Sequence, residues 1–151
     1  MSTDPGRPLS SRIGPEPRQL LEAADELLAR PLDALVGMWP RAVALLTRQA
    51  MEGALFDLWL GVSPGVEAAP MRAQLLVLRQ TVAPALAARA DHAWAALSRA
   101  CHQHPYELVP TATELGAWLE TADELDRAIR KRLADRESAV AGRRVVEASP
   151  D

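Results

Sequence analysis

The sequence predicts an all-α fold, an up-and-down bundle of four to five helices, and three observations lead there. Apolar residues recur three and four positions apart through most of the chain, the period of helices with a buried face. Aromatic residues are only 4% of a chain that is 48% hydrophobic, so Leu, Ala and Val must fill the core. Such a core suits close-packed helices better than a sheet, which favours β-branched and aromatic residues. Pro and Gly stand between the periodic stretches and leave short loops, which make neighbouring helices antiparallel.

The elements follow in order. Residues 1–15, rich in Pro, Gly, Ser and Arg, read as a disordered arm ahead of a helical domain over 16–139. A first helix starts near Pro17, a residue suited to a first turn, and carries Leu20, Ala24, Leu27 and Leu28 on one face. Pro31 kinks or interrupts it, and Leu32, Leu35 and Val36 extend the apolar face to Gly37 as a C-cap. Trp39-Pro40 opens a second helix to about Gly61. Its apolar positions (Val43, Leu46, Ala50, Ala54 and Leu58, widened by Leu45, Met51, Leu55, Trp59 and Leu60) exceed one core face. Such a helix is either central in the bundle or half of a subunit interface. Ser63-Pro64-Gly65 is a turn. A third segment begins near Pro70 and is kinked or split at Pro84; Leu86, Ala90, Ala93, Trp94 and Leu97 carry it to Cys101. Thr111 and Glu114 fit a capping box for a last helix, whose apolar residues from Leu115 to Leu133 span five turns. Residues 140–151 read as a flexible tail.

Length and charge bound the function. A chain of 151 residues is one ordinary domain, able to bury a core without metal or disulfide staples. Its net charge of −3 and lack of a basic tract argue against a dedicated DNA-binding domain, but not against an enzyme that touches RNA at one small site. Cys101 is the only cysteine, so no intrachain disulfide forms. No apolar run reaches the ~20 residues of a membrane span and the first residues hold no signal-peptide core, so the expected location is the cytoplasm, with no membrane partner.

Chemistry-bearing residues crowd into one window, Ser98 to Glu107. It holds the single Cys, the single Tyr and two of the three His. Cys101, His102 and His104 are competent zinc ligands, but a structural zinc takes four, usually in two separated pairs, and no second pair exists here. No metal or other cofactor is therefore expected. Cys101 as a nucleophile beside a histidine is a further reading. A thiol at a helix C-terminus lacks the dipole that would activate it, and a single Cys among aliphatics is usually a core residue.

The spacing Arg99, four residues, His104, one residue, Tyr106 resembles the R-x4-H-x-Y signature of HEPN ribonucleases, especially toxins paired with nucleotidyltransferase antitoxins. The stretch Arg48 to Leu55, RQAMEGAL, is similar to that family's second helix. The resemblance covers roughly residues 20–135 and implies a HEPN-like bundle with the motif around the end of a long helix. It also implies a metal-independent endoribonuclease, a toxin or defence effector, acting on RNA as a homodimer and held in check by an antitoxin or operon partner. His104 would be the general acid/base and Arg99 the ligand of the phosphate and its transition state, both catalytic. Tyr106, His102 and Glu52 would be active-site neighbours. The equivalent tyrosine of the resembling toxins is a target of inactivating nucleotidylation, and Glu52 would orient the arginine. The residue types suit the chemistry: imidazole moves protons near neutral pH, and guanidinium presents donors matched to phosphate oxygens. One Arg and one His are few for this work, and two subunits would double both. The family prefers a polar residue directly after the arginine, where this chain has Ala100; His102 and Gln103 are the polar residues nearest to replace it. In the alternative reading the chain is a catalytically silent dimerisation, adaptor or ligand-binding module. Arg99 would then cap a helix end, and His104 and Tyr106 would pack with their polar tips satisfied.

Overall fold

The computed structural model describes residues 14–32, 37–102 and 108–147, and within them prolines set most helix borders. Helix α1 (Pro17–Ala29) has Pro17 in its first turn, where a missing N–H costs nothing. Glu16 and Gln19 close a capping box around that turn. The helix ends before Pro31, because proline disfavours helical geometry in the residue ahead of it, and Arg30 has already left that region. Of the apolar face expected beyond Pro31, Leu32 is outside the helix and exposed, while Leu35 and Val36 lie outside the described residues. Gly37 takes a φ of +77° in the turn that leads into the next helix.

Helix α2 (Trp39–Val62) resolves the choice posed by its wide apolar girdle. It is central, packed against α1, α4 (Pro84–Cys101) and α5 (Ala112–Glu147) at once. Val43, Ala50, Met51, Ala54, Leu55, Leu58 and Trp59 are all buried within the chain itself. Only Leu45, on the outer flank, stays 44% exposed. Near its end α2 passes so close to α5 that a methyl group at Gly61 would overlap Cδ2 of Leu133, so a larger residue there would make the flexible Leu133 side chain move aside.

Ser63-Pro64-Gly65 turns as the sequence predicts, with Gly65 in the left-handed region at φ +105°, and a 3-10 turn (Val66–Ala68) follows. Pro84 splits the third segment into α3 (Met71–Leu78) and α4 (Pro84–Cys101). Gln74, buried on α3, stitches the preceding turn by donating to the carbonyls of Glu67 and Ala69 at 3.2 and 2.8 Å. Helix α5 opens on the expected capping box. The Thr111 hydroxyl accepts from the Glu114 N–H at 3.2 Å, and the Glu114 carboxylate accepts from the Thr111 N–H at 2.8 Å.

Leu115, Leu119, Ala122, Leu125 and Ile129 of α5 enter one core with Leu21 and Ala24 of α1, the α2 residues, and Ala90, Ala93 and Leu97 of α4. Each fully buried Leu contributes roughly 1.5–3 kcal/mol of transfer free energy. Ion pairs between Arg18 and Asp123, and between Arg89 and Glu124, tie α1 and α4 to α5; being partly exposed, they add little. After Leu133, α5 continues to Glu147, well past its last core contact, with every described side chain exposed. Ala and Arg, strong helix formers, sustain a helix there where apolar periodicity stops. Among the described residues there is no strand, and no helix is long and apolar enough to cross a membrane.

Candidate functional site

The window of reactive residues falls at the C-terminal end of α4. That helix closes with the His102 N–H donating to the carbonyls of Ser98 and Arg99 at 3.3 and 3.1 Å. Arg99 lies in the last turn, exposed, where a cation suits the partial negative charge of a helix end. It lines an open groove of about 450 Å³ between the end of α4 and the start of α5, with Ala100, Leu108, Val109, Glu114 and Trp118. Ala100 is buried, 7% exposed, and belongs to the core as well as to the groove floor. A polar side chain there would enter the interior. His102 is exposed. Gln103, His104 and Tyr106 lie outside the described residues.

Cys101 points the other way from Arg99, as a helical step of two residues requires. It is buried, 8% exposed, against α2. Burial pushes its thiol pKa up, and the nearby Arg48 and Arg41 guanidinium groups only partly offset this. A thiol so placed is mostly protonated at neutral pH and is a poor nucleophile. Among the described residues, no group of three or more His, Cys, Asp and Glu side chains is arranged to hold a metal ion.

Glu52 has a different partner from the one expected. It does not orient Arg99; its carboxylate accepts from Nε of Arg48, one turn earlier on α2, at 2.8 Å. The same oxygen accepts from the indole N–H of Trp94 on α4 at 3.2 Å. The Arg48 guanidinium carbon sits 5.7 Å from the centre of the Trp94 ring, within reach of a cation–π attraction. Burial pulls the Arg48 pKa down, but the hydrogen bond and charge of Glu52, with smaller contributions from Cys101, together outweigh it and hold the guanidinium above its usual value, fully charged. Trp94 meets Glu52 while Cys101, seven residues on, faces Arg48, four residues back. Helices α2 and α4 therefore run antiparallel and hold a polar cluster between them. The end of α4 thus separates two cationic surfaces, Arg99 towards α5 and Arg48 towards α2.

Arg48 and Trp94 are the members that sequence reasoning missed. The signal for Arg48 was its i,i+4 spacing to Glu52. Trp94 carried none, since an aromatic at helical spacing reads as core. No family model matches the chain, and neither does any curated protein or solved structure.

Proposed function

We propose that the chain is a HEPN-like, metal-independent endoribonuclease of the toxin or defence class, acting in the cytoplasm. The observation that carries this reading is the placement of the R-x4-H-x-Y spacing. Arg99 ends α4, exposed beside an open groove, and the rest of the motif follows in the connection to α5. Arg99 holds the scissile phosphate and the charge of the phosphorane. His104 takes the proton of the 2′-hydroxyl or gives one to the leaving 5′-oxygen, and a second copy of the chain supplies the other half of that work. Tyr106 and His102 flank the reacting groups. An antitoxin or operon partner covers the site when the enzyme must be silent.

The test is cleavage of single-stranded RNA by the purified chain in the presence of a chelator. Products ending in a 2′,3′-cyclic phosphate are expected, because the 2′-hydroxyl is the nucleophile. Arg99→Ala and His104→Ala should each abolish cleavage with the melting temperature kept. Equal inactivity of wild type and both variants, under conditions that favour dimers, would overturn the reading.

One observation favours the second reading, a silent dimerisation or adaptor module: α5 extends past the bundle with exposed Val145 and Val146 and no partner helix among the described residues. In that case the wild-type chain is harmless in cells and inactive on RNA.

A further inference from the structure

We propose that Arg48, supported by Arg41, is a second phosphate-binding position, which holds the RNA backbone on the α2 side of the end of α4 while Arg99 addresses the scissile phosphate on the α5 side. The proposal rests on the ribonuclease reading for the identity of its ligand, though not for its geometry.

The Arg48 side chain is only 24% exposed and is fixed from two directions, by Glu52 at its Nε edge and by the Trp94 ring at its face. A long, flexible side chain ordinarily loses much rotamer freedom on gripping a ligand; here packing has already removed it. A guanidinium carries five N–H donors in a planar fork. The Arg48 Nε–H is bonded to Glu52 and the Cys101 sulfur lies within reach of the guanidinium, while no Nη donor is bonded to a carboxylate among the described residues. A phosphate offers oxygens in the geometry of that fork.

Arg41 lies seven residues earlier, two helical turns, and so on the same side of α2 about 10 Å away. The Cys101 thiol, at the end of α4, feels the charge of both guanidinium groups, Arg48 the more strongly. Among the described residues, Arg48 is paired with Glu52 and Arg41 has no carboxylate partner, so the pair leaves one cation uncompensated. Glu52 is then a positioning residue: it sets the plane of the Arg48 fork and does not itself meet the ligand.

The experiment uses a fluorescently labelled 2′-O-methyl oligonucleotide, which keeps the phosphates but lacks the nucleophile. Its binding to the full chain is followed by polarisation across a salt series. Wild type should bind, and Arg48→Gln should weaken binding about tenfold or more, as loss of a charge-assisted fork predicts. The slope of log affinity against log salt should also fall by about 0.7, one phosphate contact for a single strand. A purely structural role would leave that slope unchanged. Arg48→Lys, charged but without the fork, should recover only part of the affinity. Arg41→Gln, at an exposed position, should weaken binding and lower the slope without disturbing the fold. Should Arg48→Gln not fold, Arg48→Lys and Arg41→Gln decide. Wild-type affinity and slope in both would overturn the proposal, as would failure of the wild type to bind. The two ideas separate cleanly. Cleavage that needs Arg99, with binding indifferent to Arg48 and Arg41, removes the second position alone. Absent cleavage, with binding that still needs Arg48, removes only the ribonuclease.

Discussion

Replacing one leucine of α2 by alanine on each of its two flanks tests whether that helix is satisfied within a single chain. Leu58 is fully buried and Leu45 is 44% exposed, on the same helix. Leu58→Ala removes buried carbons and leaves a cavity that surrounding helices fill only in part, at a cost of about 2.7–5 kcal/mol. For a domain of this length each kcal/mol lowers the melting temperature by roughly 2–4 °C, so a fall of about 5–20 °C is expected. Leu45→Ala removes a side chain that water already half surrounds. No cavity forms, and about half the transfer term is lost, roughly 1 kcal/mol or 2–4 °C. Tryptophan emission is the suitable reporter, since Trp59 lies in the core at 3% exposure. The pair should be measured at several protein concentrations. If Leu45→Ala costs as much as Leu58→Ala, with a concentration-dependent melt, then another chain covers the outer flank of α2. The assignment of α2 as a purely internal helix would then be refuted.

Other expectations follow from single contacts. Thr111→Ala removes the hydroxyl that caps α5 and should cost about 1 kcal/mol, read as a lower midpoint in urea. For Asp123, burial pushes the carboxyl pKa up, but hydrogen bonds from Arg18 and Arg127 outweigh it and hold the group below its usual value. Its stabilising effect is therefore complete above the unfolded value of about 4 and is lost as pH falls through the lower folded value. Asp123→Asn should flatten the acid limb of a stability–pH curve in that window. Cys101 should react with iodoacetamide far more slowly in the native chain than in urea at pH 8, because it is both covered and held protonated. Removing residues 136–151 should shift the melting temperature by no more than about 2 °C, since the described side chains there are exposed.

The helices were legible in the sequence because their borders are written in proline and their faces in leucine. Pro17, Pro40 and Pro84 each open a helix, and Thr111 with Glu114 marks another start. Two features were not legible. Helix α1 ends at Ala29 and Leu32, just past Pro31, is exposed, because a proline's constraint on its predecessor outranks spacing. The run of α5 to Glu147 carries no apolar period, so propensity alone sustains it. Within the site, Arg99 stands exposed at a helix end. Glu52 serves its own helical neighbour, Arg48, a pairing its spacing could have shown, and also Trp94 across on α4, which no spacing could show. Pairing across helices depends on rotation and register, which a one-dimensional pattern does not encode.

The length of α5 bears on how the protein will lose structure on warming. Its 36 residues extend about 54 Å, and the last 14, roughly 20 Å, add no residue to the core and are held mainly by their own backbone ladder. An unsupported segment of that size, with Gly142 and three valines in it, sits near the helix–coil midpoint, where melting is gradual and spreads inward from the free end. Ellipticity at 222 nm should therefore decline along a sloping baseline well before tryptophan emission changes. The two signals will report different events, the unwinding of a stalk and the collapse of a bundle, and a single midpoint fitted to ellipticity would understate the stability of the core.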